Sequence, residues 1–134
     1  MRRTTPLLAL AVLAVAACDE VTAPPQTIIY ELHTVVGDPL PYVISKDEKS
    51  EFRLMSMRYE FTGDQYEMFV RLETESANGI DVDEFEGDGT LSFSGDTIRL
   101  EFGDKGWLAE PRVALRNGDT LHGKLAHQYD AVFV

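Results

Sequence analysis

Apolar and polar residues alternate with a period of two along most of the chain after residue 27, which is the pattern of half-buried β-strands. The clearest case is residues 52–62, which end at Gly63-Asp64 and are followed by a second alternating segment. A Gly-Asp pair is typical of a tight turn, so the two segments together predict a β-hairpin. The apolar residues that alternate in this hairpin are Met55, Met57, Tyr59, Phe61, Tyr66, Met68, Val70 and Leu72.

Shorter alternating segments with turn residues between them continue to the end of the chain. Further strands are predicted at residues 27–36, 40–45, 90–94, 97–102, 111–116, 121–125 and 128–134. Residues 76–89 are rich in acidic residues and glycine, and this composition predicts a loop. No segment of this region shows a sustained apolar period of 3.6. The pattern therefore predicts an all-β domain, a small antiparallel meander of about eight strands that forms a barrel, with a two-layer β-sandwich as the alternative.

The first residues follow a different pattern. Arg2 and Arg3 precede eleven consecutive apolar residues, 7–17, a run shorter than the about 20 residues that a membrane-spanning helix needs. A positive start, a short apolar run and small residues at its end are typical of a secretory signal. The run ends in Val15-Ala16-Ala17-Cys18, which resembles the lipobox of bacterial lipoproteins.

That resemblance implies that Cys18 is lipidated and becomes the mature N-terminus. We expect a signal peptide at residues 1–17, a lipidated cysteine and tether at 18–26, and the β-domain at 27–134. The expected location is the bacterial cell envelope, where a lipid anchor at Cys18 would hold the chain in a membrane, on the periplasmic side or at the cell surface. The alternative is an ordinary secretory signal that is cleaved near Ala17.

Charge narrows the range of partners. The whole chain carries a formal net charge of −11, and loss of the leader would make the remainder more acidic. Such a surface repels nucleic acid, so we expect no nucleic-acid partner. Cys18 is the only cysteine, so the domain has no internal disulfide.

Several turn motifs resemble those of small bacterial lipocalin-like lipoproteins. They are Pro39-Leu40-Pro41 after a tyrosine-containing strand, the hairpin at residues 89–100, and Asn117-Gly118-Asp119 before the penultimate strand. The resemblance implies a small calyx-like barrel, a fold that either fills its interior with side chains or holds one small ligand.

An interior of methionine and aromatic side chains suits an irregular apolar ligand, although it is equally the composition of a packed core. Arg58 is a candidate for a cation near the mouth of such a cavity. The predicted cavity residues are Met55, Met57, Tyr59, Phe61, Tyr66, Met68, Phe93, Phe102 and Arg58.

The densest group of carboxylates, Asp81, Asp83, Glu86 and Asp88, has oxygen ligands of the kind that Ca²⁺ prefers. Its spacing departs from the EF-hand pattern, because Glu86 stands where that loop requires glycine. We therefore predict no metal site, and the sequence contains no motif for a catalytic residue or a cofactor.

These observations favour a membrane-anchored envelope lipoprotein, without enzymatic activity, whose barrel binds a small apolar or amphipathic molecule. The alternative is a structural or protein-interaction lipoprotein of the envelope with a packed barrel, no small-molecule ligand and a protein partner.

Overall fold

The structure is a computed structural model that describes residues 23–104, 107 and 109–134. These residues form ten strands. They are β1 (Thr27–Val35), β2 (Asp38–Pro39), β3 (Tyr42–Lys46), β4 (Ser50–Thr62), β5 (Gln65–Ser76), β6 (Gly79–Ser94), β7 (Thr97–Phe102), β8 (Val113–Asn117), β9 (Thr120–Leu125) and β10 (Tyr129–Phe133).

Eight of the strands close into an antiparallel barrel. From β4 to β10 each strand pairs with the next along the chain, and β1 lies between β10 and β4. β2 and β3 extend the sheet beyond this ring, beside β1 and β4 respectively. The prediction of a small antiparallel barrel is confirmed, and the ring has no second layer of the kind a sandwich requires.

Alternation along the strands produces the core, because every second side chain of a barrel strand points inward. Tyr59 is at the centre of a group of aromatic rings, with ring centroids 5.7 Å from Phe61, 5.6 Å from Tyr66 and 5.4 Å from Phe133. The buried hydrophobic residues are Tyr30, Leu32, Val35, Leu54, Met57, Tyr59, Phe61, Tyr66, Met68, Val70, Leu72, Leu91, Ile98, Leu100, Ala114, Leu121, Leu125, Ala131 and Phe133.

The predicted loop at residues 76–89 is wrong, because most of it belongs to β6. β5 and β6 pair without interruption from Gln65 opposite Thr90 to Ser76 opposite Gly79. The acidic side chains in β6 are exposed to solvent, so the strand pairs with β5 along its length without burying charge. Backbone pairing outweighs the low strand propensity of aspartate, glutamate and glycine here.

A β-bulge shifts the alternation at the start of β4. The register with β5 changes between Leu54 and Ser56, so Leu54 is buried while Met55 is only partly buried. We expected Met55 to share a face with Met57, but one extra residue in a strand reverses the parity on its far side.

The two ends of the barrel differ. Tight turns at 63–64, 95–96 and 118–119 lie at the end where β1 begins, which we call the hairpin end. The opposite end carries the long β7–β8 connection, residues 103–112, and we call it the loop end. No helix among the described residues is long and apolar enough to cross a membrane.

A candidate polar site inside the barrel

The inner wall of the barrel is large on one side and small on the other. β4 and β5 contribute Met57, Tyr59, Phe61, Tyr66 and Met68, all buried. The facing strands place glycine or alanine at inward positions, namely Gly87 and Gly89 on β6, Ala114 on β8, Gly123 on β9 and Ala131 on β10. Small residues on this side leave room inside the ring for another part of the chain.

Two described residues of the β7–β8 connection, Glu110 and Pro111, occupy part of that room. The amide of Ala126 donates to the carbonyl of Ala109 across 2.6 Å, which fixes the connection to the end of β9. Pro111 is buried against Gly123, where an added Cβ would lie 3.0 Å from the proline ring. The amide of Glu110 donates to the carbonyl of Trp107 across 3.0 Å. This local turn carries the Glu110 side chain inside the barrel, where the residue is 1% exposed.

Glu110 faces the hydroxyl groups of Tyr59 and Tyr66. All four oxygen atoms, two from the carboxyl group and one from each hydroxyl, are buried. The two hydroxyls are the hydrogen-bonding neighbours of the carboxyl group, and no further partner is present among the described residues. A buried polar atom without a partner costs about 1–3 kcal/mol, so natural proteins rarely keep one without a compensating contact. A group of such atoms in one place is the arrangement expected of a site for water or for a small polar group.

Burial also sets the charge of these groups. It raises the pKa of the Glu110 carboxyl group, an effect that the nearby hydroxyls of Tyr66 and Tyr59 partly oppose. Burial is likewise the main reason that the pKa values of Tyr59 and Tyr66 are raised, and the neighbouring carboxylate adds to both shifts. The two phenols are therefore neutral at physiological pH, and burial favours the neutral form of the Glu110 carboxyl group.

This arrangement suits a ligand that donates hydrogen bonds. The carboxyl group can accept hydrogen bonds through two oxygen atoms, and each hydroxyl can donate or accept. A small molecule with an amine, amide or hydroxyl group at one end and an apolar body would match the carboxyl group and the aromatic rings around it.

The predicted cavity residues divide between the interior and the surface. Met57, Tyr59, Phe61, Tyr66 and Met68 lie inside the barrel, and Tyr59 and Tyr66 belong to the polar group. Met55 and Phe102 are partly buried, and Phe93, at the hairpin end of β6, is 50% exposed.

Arg58 belongs to the outer surface of the barrel. Its guanidinium carbon lies 4.5 Å from the ring centroid of Phe69, the residue opposite it on β5. One of its terminal nitrogens is 3.1 Å from a carboxylate oxygen of Glu60. These contacts hold the cation on the outer face, away from the Glu110 carboxyl group inside the ring.

The acidic residues of β6 are divided by the alternation of the strand. Asp81 and Asp83 share one face, and Glu86 and Asp88 share the other. Within the part of the chain that the structure describes, no group of three His, Cys, Asp or Glu side chains is arranged to hold a metal ion.

Open concavities lie on the outside of the barrel. One groove of about 590 Å³ crosses the outer surface of β8 and β9, lined by Val113, Leu115, His122 and Lys124 among others. The interior holds the core side chains together with Glu110 and Pro111.

Glu110 is not among the residues that the sequence predicts for the cavity. Its segment has no clear alternation, and a single glutamate between alanine and proline gives no motif. A usable signal was present in the strands instead. Gly87, Gly89 and Gly123 occupy inward positions where a barrel strand normally carries a large apolar residue, which indicates that something else fills the space.

The predicted anchor, Cys18, and most of the tether lie outside the described residues, so lipidation stays a prediction. Comparisons with models of known protein families, with curated proteins and with solved structures find no match to this chain.

Proposed function

We propose that this chain is a lipid-anchored lipoprotein of the bacterial cell envelope and that its barrel binds a small apolar or amphipathic molecule. The polar end of that molecule would contact Glu110, Tyr59 and Tyr66, and its apolar part would contact the surrounding aromatic and methionine side chains. The observation that carries the proposal is the group of four buried oxygen atoms, from Glu110, Tyr59 and Tyr66, in an otherwise apolar interior.

The proposed anchor rests on residues 15–18, which resemble a lipobox at the end of a secretory leader. An acylated Cys18 would hold the domain at a membrane surface through residues 19–26, which include Pro24-Pro25 and favour an extended chain. The domain would then meet its ligand in the envelope, outside the cytoplasm.

Native mass spectrometry tests the binding proposal. The full chain is purified from bacterial membranes in mild detergent, alongside Glu110→Gln and the control Glu101→Gln, which alters an exposed glutamate on β7. We expect a co-purified small molecule on the wild type and the control. We expect at least a tenfold lower occupancy on Glu110→Gln, because glutamine replaces one accepting oxygen with an NH₂ group that can only donate. An equal adduct on all three proteins, or none on the wild type, would contradict the proposal.

The second candidate function is a structural or protein-interaction lipoprotein without a small ligand. The observation that favours it is that Glu110 and Pro111 occupy part of the interior, with Pro111 packed against Gly123. Waters would then satisfy Glu110 and the tyrosines. In that case Glu110→Gln would change stability alone, and solubilised membranes would yield a protein that co-purifies with both variants.

A further inference from the structure

β6 is longer than the strand that pairs with it on one side. β7 covers only the section from Gly89 to Ser94, and one further bond joins the amide of Gly103 to the carbonyl of Asp88 across 2.8 Å. On the other side β5 pairs with β6 all the way to Gly79. Among the described residues, none pairs with the β7 side of residues 80–86, and the side chains of these residues are all exposed. Within the part of the chain that the structure describes, residues 80–86 therefore form a free edge.

The pairing identifies the backbone groups that this edge presents. In an antiparallel sheet, successive residues direct their N–H and C=O groups to opposite sides of the strand. The carbonyl of Asp88 points toward the β7 side, and the register with β5 is unbroken along this section. The even-numbered residues Ile80, Val82, Glu84 and Glu86 therefore direct their amides and carbonyls outward from the sheet.

The side chains along the edge are apolar and acidic. Ile80, Val82 and Phe85 are 58%, 45% and 44% exposed. Arg71 lies 3.3 Å from Glu84, which partly balances that carboxylate. Asp81, Asp83 and Glu86 have no ion-pair partner among the residues that the structure describes.

We propose that residues 80–86 of β6 are a docking site for an extended, basic segment of a partner protein, which adds to the sheet as an eleventh strand. Main-chain hydrogen bonds to Val82, Glu84 and Glu86 would supply affinity, as in other cases of strand addition. Lysine or arginine opposite the acidic positions, and aliphatic residues opposite Ile80, Val82 and Phe85, would supply specificity.

Charge selects this occupant over a second copy of the chain. Antiparallel pairing of two β6 edges would bring acidic side chains opposite acidic side chains, and like charges directly opposite each other are destabilising. Charged residues on an edge are also a common protection against self-association. The net charge of −11 opposes self-pairing further, and it attracts a basic partner.

The edge is also accessible in the proposed envelope setting. It begins at the loop end of the barrel, whereas the tether joins β1 at the hairpin end. A partner approaching residues 80–86 would meet the side of the domain that is remote from the attachment point.

A synthetic peptide in which lysine alternates with valine over nine residues provides the test, with the full chain in detergent as its target. The matched control peptide has the same side chains but is N-methylated at alternate residues, so that one edge cannot donate hydrogen bonds. In the protein, Val82→Pro removes an amide that faces the free edge without disturbing the pairing with β5. Val82→Thr is its control.

We expect the lysine–valine peptide to slow amide hydrogen exchange at Val82, Glu84 and Glu86, and to bind at least tenfold more tightly than the methylated peptide. Val82→Pro should weaken binding at least tenfold, and Val82→Thr by less than threefold. Equal binding of both peptides would show general charge attraction and overturn the proposal, as would the absence of binding. A wild-type dimer that Val82→Pro dissociates would show that a second copy occupies the edge, which also overturns it.

Discussion

Glu110 is the acidic residue that the described part of the barrel buries in its core. Its environment favours the neutral form, because burial raises its pKa above the ordinary glutamate value of 4.5. The folded state therefore binds this proton more tightly than the unfolded chain does. Linkage then makes the contribution of Glu110 to stability depend on pH, in the direction opposite to that of a salt-bridged carboxylate.

The first prediction concerns Glu110→Gln. The contribution of Glu110 is fully present below pH 4.5, and it is lost as pH rises from that value through the raised pKa of the folded state. The neutral glutamine has no such loss, so the variant should gain stability relative to the wild type with rising pH. We expect a gain of about 1–3 kcal/mol at pH 8, the range for a buried polar group without a partner.

Urea denaturation of both proteins at pH 4 to 8 checks this, and the difference between the two curves removes contributions that they share. Asp47 and Glu51 make such a shared contribution, because hydrogen bonds lower their pKa values in the folded state. Their contribution to stability is lost as pH falls, which is opposite to the pH dependence expected of Glu110. Glu101→Gln should show a constant difference from the wild type. A constant difference for Glu110→Gln as well would mean that Glu110 is already charged and satisfied in the folded protein.

Gly89 shows how closely the polar site is packed. A Cβ at this position would lie 2.7 Å from the ring of Tyr66 and closer still to the backbone carbonyl of Glu101. The second prediction is that Gly89→Ala destabilises the protein by about 3 kcal/mol, the upper part of the usual range for overpacking, because a backbone atom cannot move aside. Urea denaturation measures it, with the exposed Thr90→Ala as control. A cost below about 1 kcal/mol would mean that the ring and strand adapt.

At the scale of the elements, the bulge in β4 determines which side chains form the core. The third prediction compares Leu54→Ala with Met55→Ala. Leu54 is buried, so its truncation should cost about 2–5 kcal/mol, whereas the partly buried Met55 should cost about 1 kcal/mol or less. Without the bulge, Met55 would face inward like Met57 and Leu54 would face outward, so Met55→Ala would then be the more destabilising substitution. Thermal or urea unfolding of the two variants therefore decides whether the bulge exists in solution.

The elements also show how far sequence patterns extend in this protein. The β4–β5 hairpin was predictable, because two alternating segments meet at Gly63-Asp64 and their apolar residues fall on the same face when the strands pair. The bulge at Met55 was not predictable, because Leu54 and Met55 are both apolar and either could face inward. Only the pairing with β5 shows that the register shifts between Leu54 and Ser56. The strand at residues 79–88 was missed because pairing with β5 supplies what the local composition lacks.

At the scale of the whole molecule, the sequence predicts that the strands close into a barrel. It does not predict which residues from outside the strands lie inside that barrel. The number of short segments indicates a barrel, whereas the position of the β7–β8 connection depends on a cavity that exists only after the strands have assembled. Gly123 leaves space that Pro111 enters, Gly89 accommodates the ring of Tyr66, and Glu110 is buried beside that ring. Candidate ligand residues chosen from strands alone therefore included Tyr59 and Tyr66 but omitted their acidic neighbour.

The last prediction concerns attachment of the whole molecule to a membrane. A folded domain with a net charge near −11 is repelled by anionic lipid headgroups, so acyl chains are the attachment that the sequence offers. Each buried CH₂ group contributes about 0.8 kcal/mol, and two or more chains give a stable anchor. Cells fed an alkyne-labelled palmitate should incorporate the label into the wild type and into the control Asp19→Ala, and Cys18→Ala should incorporate none.

The label is a sharper measure than cell fractionation, because an uncleaved leader in Cys18→Ala would itself hold the variant at the membrane. Mass spectrometry of the N-terminal peptide completes the test. The wild-type peptide should begin at Cys18 and carry a diacylglyceryl group, since the residues before it resemble a lipobox. An N-terminus that begins at Cys18 with a free thiol would instead show an ordinary secretory signal cleaved after Ala17. The acidic barrel would then be released from the membrane, because no acyl chain would offset its repulsion by the lipid surface.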